Sequence, residues 1–99
     1  MPSKPLKVRW LKRALANLEA EAEYISRESH AAAQSVVLAI EQAVRLLASH
    51  PAMGRAGRVE GTRELVVMGT PYIVPYRVRE DRVEVLRVFH AARKWPPNL

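Results

Sequence analysis

At Pro51 the spacing of apolar residues changes from a helical period to a strand period, and that change limits the fold more than any single motif. Before it, Leu11, Leu15, Leu18, Ala22 and Ile25 recur every three or four positions, on one face of a helix. Ala33, Val37, Ile40, Val44 and Leu47 repeat the pattern. Ser29 stands where its side chain can accept hydrogen bonds from the free N–H groups of the second helix. Pro51 biases His50 away from helical angles, which ends that helix near Ser49. So few residues separate the two helices that an antiparallel hairpin with facing apolar stripes is predicted.

Beyond Pro51, the runs Arg63–Val67, Tyr72–Arg79 and Arg82–Phe89 are rich in valine, tyrosine and isoleucine, as strands are. Glu80 and Asp81 are the expected two-residue link of a hairpin that sets Val78 opposite Val83, Arg77 opposite Glu84 and Tyr76 opposite Val85. Alternation then turns Tyr72, Val74, Tyr76, Val78, Val83, Val85 and Phe89 toward the helices. The opposite side carries Arg77, Arg79, Arg82 and Glu84 among apolar Ile73, Leu86 and Val88, an exposed apolar area that invites a partner. Arg87 falls among the inward residues in this scheme, and Pro75 cannot donate to a ladder, so it needs an edge, a bulge or an outward-pointing nitrogen. With one more strand from Leu6–Trp10, the expected fold is α+β. An N-terminal antiparallel helix hairpin packs on a small antiparallel sheet, in the order β-α-α-β-β-β, as one domain over residues 1–99.

The chain has no cysteine, which excludes a disulfide scaffold and a cysteine-based zinc site and fits a reducing cytoplasm. Its basic start lacks the apolar core of a signal peptide, and no apolar run is long enough to span a bilayer. A net charge of +6 attracts nucleic acid, an acidic protein or anionic lipid, or serves solubility alone. His30 and His50 have no carboxylate or histidine at ligand spacing, so no metal site is expected. No nucleotide loop or nucleophile elbow is present, and no cofactor is expected.

Arg55 and Arg58 flank Gly57, with Arg63 close behind. Gly54 and Gly57 admit backbone angles closed to other residues, and arginine offers a planar donor fork suited to phosphate or carboxylate. This stretch reads either as a target-binding loop or as a solubilising surface loop. After the last strand come His90, Arg93, Lys94 and Trp95. His90 suits proton transfer near neutral pH, or a packing role. Arg93, Lys94 and Trp95 suit an acidic or nucleic partner, and Trp95 serves equally well as a plug at the end of the core. Glu64 is either a general base or the partner of Arg63 or another nearby arginine.

The stretches GRAGRVEGTREL (54–65), PYIVPYRV (71–78) and DRVEVLRVFHAARKW (81–95), in this order, resemble the RelE/ParE toxin superfamily of bacterial toxin–antitoxin pairs. The resemblance covers nearly the whole chain and implies the same βααβββ fold. It implies a cytoplasmic toxin held silent by a cognate antitoxin with an acidic, amphipathic segment. Ile73, Arg77, Leu86 and Val88 are the expected docking residues for that segment, and operator DNA is expected to be reached only through the antitoxin. RelE-like members cleave mRNA on the ribosome with basic residues on two strands, an arginine after the last strand and a tyrosine near the end. At those positions this chain has Glu64, Val66 and Ile73, then Arg93, which matches, and Leu99 in place of the tyrosine. Glu64, His90 and Arg93 are the candidates if this chain is a ribonuclease. ParE-like members inhibit DNA gyrase by binding, and the arginine-rich loop, the TREL strand and the HAARKW tail are closer to them. On that branch Arg55, Arg58, Arg63, Arg93, Lys94 and Trp95 are the expected target-binding residues. A non-toxic nucleic-acid-binding module is the remaining alternative.

Overall fold

The structure, a computed structural model, describes residues 4–96 and residue 99. Strand β1 (Lys7–Trp10) leads into α1 (Lys12–Ser26) and α2 (His30–Leu46). There follow β2 (Arg55–Ala56), β3 (Arg63–Val66), β4 (Tyr72–Arg79), β5 (Arg82–Val85) and β6 (Phe89–His90). Ser29 caps α2 by accepting from the Ala32 N–H at 3.0 Å, as its position predicts. No helix among the described residues is long and apolar enough to cross a membrane.

The sheet runs β1-β5-β4-β3-β2, with β6 continuing beside β4 past the end of β5. It is mixed rather than antiparallel throughout, because β1 pairs with β5 in parallel, Val8 beside Val83 and Trp10 beside Val85. The helix hairpin separates β1 from the other strands in sequence, so no tight turn dictates its direction. The hairpin register is as predicted: Val78 faces Val83, Arg77 faces Glu84 and Tyr76 faces Val85.

One core lies between the layers. Ala14, Leu18, Ile40, Val44 and Leu47 of the helical layer meet Leu65, Val67, Tyr72, Val74, Tyr76, Val83, Val85 and Val88 of the sheet layer. On α1 the buried positions are Ala14 and Leu18, whereas Leu15 is 46% exposed. The expected stripe is therefore rotated: close approach of the helix favours the small Ala14 over the bulkier Leu15. Val78, expected inward, is 42% exposed because β3 pairs with β4 only from Ile73 to Tyr76 and leaves its other side open, whereas Val83 opposite it is flanked by β1 and fully buried.

The third strand run breaks after Val85. The Leu86 N–H still donates to the Pro75 carbonyl at 2.9 Å. On that same edge of β4 the Pro75 nitrogen has no hydrogen to return, and the ladder lapses until Phe89 pairs with Ile73. The lapse shifts the phase. Val88 enters the core and Arg87 leaves it, to lie 5.4 Å from the Phe89 ring. Phe89, expected to face the helices, instead pairs with outward Ile73 and packs on Trp95.

The apolar face expected for a docking partner is covered. Ile73 and Leu86 are each 6% exposed and Val88 is 1%. Val88 belongs to the inner core because of the phase shift. Ile73 is buried beside Phe89 of β6, and the Ala91 N–H ties the chain after β6 to the Pro71 carbonyl at 2.8 Å. Leu86 borders a hollow shared with Leu11, Val59 and Leu99.

Candidate functional site

The glycine loop is built on Tyr76. That residue is fully buried, and its hydroxyl donates to the Pro51 carbonyl at 2.7 Å and accepts the Gly54 N–H at 2.8 Å. Burial pushes its phenol pKa up, so the hydroxyl keeps its proton. A Cβ on Gly54 would stand 2.6 Å from the Tyr76 ring, and one on Gly57 would stand 2.2 Å from Thr62 Oγ1. These two glycines are required by close approach and not, as expected, by unusual backbone angles. The left-handed glycines are Gly61 and Gly69. Arg63 donates to the Gly54 carbonyl at 2.8 Å and so braces the loop from within.

Glu64 fixes the two outer arginines. It is 3% exposed, on the face of β3 away from the helices, since its neighbour Leu65 enters the core. Its Oε1 accepts from Arg55 at 3.2 and 3.3 Å, and its Oε2 accepts the Arg58 backbone N–H at 2.9 Å, with the Arg58 Nε at 3.5 Å. A buried carboxylate needs such partners to remain charged. The Arg58 guanidinium lies 3.6 Å above the Trp95 ring, and Trp95 packs on Phe89 at 4.6 Å between centroids. Both arginine side chains remain about half exposed, at 55% and 52%. The result is an open pair of guanidinium groups, both held by a carboxylate and one, Arg58, stacked on an indole. Glu64 is thus paired with Arg55 and Arg58 and not with Arg63. Lys94 is exposed in the tail.

A second cluster lies at the other face of the sheet. Tyr72 donates its hydroxyl to Glu21 Oε1 at 2.9 Å, and Arg93 bonds the other Glu21 oxygen. The His90 ring stands edge-on to Tyr72 at 5.5 Å, while its Nδ1 accepts the Ala92 N–H at 3.1 Å. Burial, reinforced by the bond to Glu21, pushes the Tyr72 pKa up to about 12, so it acts as a donor. Glu21 and Tyr72 went unnoticed as site residues. The available signal was that Glu21 falls on the buried stripe Ala14, Leu18, Ile25, where an acid requires a partner.

The three acid–base candidates do not converge. His90 pairs with Tyr72 and shares its face, whereas Glu64 pairs with Pro75 on the opposite face, three residues along β4. At about 3.4 Å per residue that is some 10 Å along the strand, with the sheet between the side chains. Arg93 joins His90 at the helical face. General acid–base work on one phosphate requires groups within hydrogen-bond reach of it.

A small α+β layer with an arginine loop braced on Tyr76 and Glu64 defines a protein of the RelE/ParE type. The family model described as "ParE toxin of type II toxin-antitoxin system, parDE" matches residues 8–95, and the chain belongs to that family. Y4kP, a protein of Sinorhizobium fredii, is 48% identical over 93 residues, covering 94% of this chain and 96% of its own. Toxin RelE2 of Caulobacter vibrioides is 42% identical over 84 residues, covering 85% and 93%. The chromosomal ParDE toxin–antitoxin system of P. aeruginosa contains a chain that superposes with a TM-score of 0.78 at 26% identity, covering 86% of this chain and 95% of that one. The RelBE2 toxin–antitoxin complex of Mycobacterium tuberculosis gives 0.64 at 25% identity, covering 87% and 98%.

Proposed function

We propose that this toxin acts as ParE-like members do, by binding DNA gyrase without bond chemistry of its own, and that a cognate antitoxin neutralises it. The separation of Glu64 from His90 and Arg93 by the sheet carries this reading. Arg55 and Arg58, presented on Glu64 and Trp95, supply the charge that meets an acidic target surface. The antitoxin reading is supported by the two solved toxin–antitoxin systems that the fold matches. With Ile73, Leu86 and Val88 covered, an apolar surface that an added segment can reach is the open edge of β3. There β2 pairs only with Arg63 and Glu64, and Leu46, Met53, Val66 and Met68 are exposed around a hollow of about 650 Å³. An amphipathic segment fits there, as an added strand or a helix in the groove.

The test is a supercoiling assay run beside a ribosomal mRNA-cleavage assay. Replacing Arg55, Arg58 and Glu64 together by glutamine removes both arginine charges without stranding a buried carboxylate. That variant should lose gyrase inhibition, and His90→Gln should retain it. Val66→Asp should weaken the complex with the co-expressed antitoxin. Robust mRNA cleavage by the unaltered protein, collapsing in His90→Gln, would overturn the gyrase reading.

A further inference from the structure

The register places two rows of charge across the face of the sheet turned away from the helices. Lys7 of β1 lies beside Arg82 of β5, which faces Arg79 of β4. In the next row on that face, Arg9 lies beside Glu84, which faces Arg77. The intervening Val8, Trp10, Val83 and Val85 pack into or against the core, so these six side chains share the outer face. Five are cations. Neighbouring strands are about 4.8 Å apart and alternate residues about 7 Å apart, so the five spring from a block of backbone roughly 10 by 7 Å.

Glu84 orients this block more than it neutralises it. Its Oε1 accepts from Arg77 Nε at 2.6 Å and its Oε2 from Arg82 Nε at 2.9 Å. Both arginines meet the carboxylate through Nε, so the terminal N–H groups of each fork remain available outward. Lys7, Arg9 and Arg79 are exposed and, among the described residues, form no salt bridge. No aromatic side chain lies among these six, so the block lacks the stacking platform that single strands use. Arg77 and Arg79 border the hollow that holds Leu11, Val59, Leu86 and Leu99, whereas Lys7, Arg9 and Arg82 lie outside its lining. The block is an array of cationic donors suited to phosphate oxygens, two of them held by Glu84 and three free to adjust.

We propose that Lys7, Arg9, Arg77, Arg79 and Arg82 form a second binding surface, for the phosphate backbone of duplex nucleic acid, independent of the glycine loop and of the gyrase reading. Recognition through phosphates alone is indifferent to base sequence.

The experiment measures binding of the purified protein to a short fluorescent DNA duplex by anisotropy, between about 50 and 200 mM salt. Each phosphate contact contributes a slope of about −0.9 in log K against log salt, so five contacts give roughly −4 to −5. Lys7→Gln with Arg79→Gln should lower that magnitude by about 2 and weaken binding at least about tenfold. Arg27→Gln with Arg45→Gln removes the same charge from exposed positions on the helical layer and should leave the slope unchanged. Both pairs alter exposed residues, and matching thermal melts would establish that each variant is folded. Absence of duplex binding, equal loss in both pairs, tighter binding to the single strand, or equally tight binding to a poly-glutamate peptide would each overturn the proposal.

Discussion

Glu80 is the only non-glycine residue with a positive φ among those described, at 52°, in the link between β4 and β5. Tight antiparallel links demand such angles, and a Cβ there costs about 1–2 kcal/mol. Glycine removes that strain but gives back about 0.5–1 kcal/mol through the freedom of the unfolded chain. Glu80→Gly should therefore stabilise the protein by roughly 0.5 kcal/mol and raise the melting temperature by about 2–4 °C. A melting temperature that fell would mean that the Glu80 side chain contributes more than its backbone strain costs. Gly54 is the opposite case. Its φ is ordinary, but the Tyr76 hydroxyl occupies the space of a side chain, so no larger residue fits without moving the loop.

At the scale of elements, α2 carries the clearest energetic signature. Ile40 is fully buried against the sheet, and Ile40→Ala should cost about 2–5 kcal/mol in urea denaturation. Leu15→Ala on α1 should stay within about 0.5 kcal/mol, since Leu15 is largely exposed. A large loss at Leu15 would return it to the core. The difference also shows what the sequence could and could not reveal. The helical period located α2 well, because Ala33, Ile40, Val44 and Leu47 all bury. On α1, bulk misled the reading: close packing chose Ala14 and left Leu15 outside. The β4–β5 register was legible from the Glu80–Asp81 link, because a two-residue turn leaves one pairing. The phase shift after Val85 was hinted at by Pro75 and Arg87, but its location depends on which edge of β4 the proline faces. The basic loop was legible as a feature. Its bracing by Tyr76 and the tie from Glu21 to Arg93 were not, because those partners are joined only by folding.

For the whole molecule, Glu84 and Tyr72 couple stability to pH at opposite ends of the scale. Hydrogen bonds from Arg77 and Arg82 hold the Glu84 carboxyl near 2, below its ordinary 4.5. Its contribution is present above about 4.5 and is lost as pH falls toward 2, because the unfolded chain takes up the proton first. Tyr72 works in the other direction: its pKa of about 12 makes it lose stabilisation as pH rises from 10. Urea midpoints should fall at both extremes, and Glu84→Gln should flatten the acid limb. An acid limb unchanged in Glu84→Gln would assign it to other carboxylates. The parallel pairing of β1 with β5 has a consequence in time as well as in space. Lys7 waits for Arg82, about 75 positions later in the chain. At about 5–20 residues per second, a nascent chain spends roughly 4–15 s with its first strand made and the neighbour of that strand not yet synthesised. The helix hairpin emerges before the sheet that covers it, so the toxin completes its fold only after β5 has been made, and until then its apolar surface is open to whatever chain is being translated alongside.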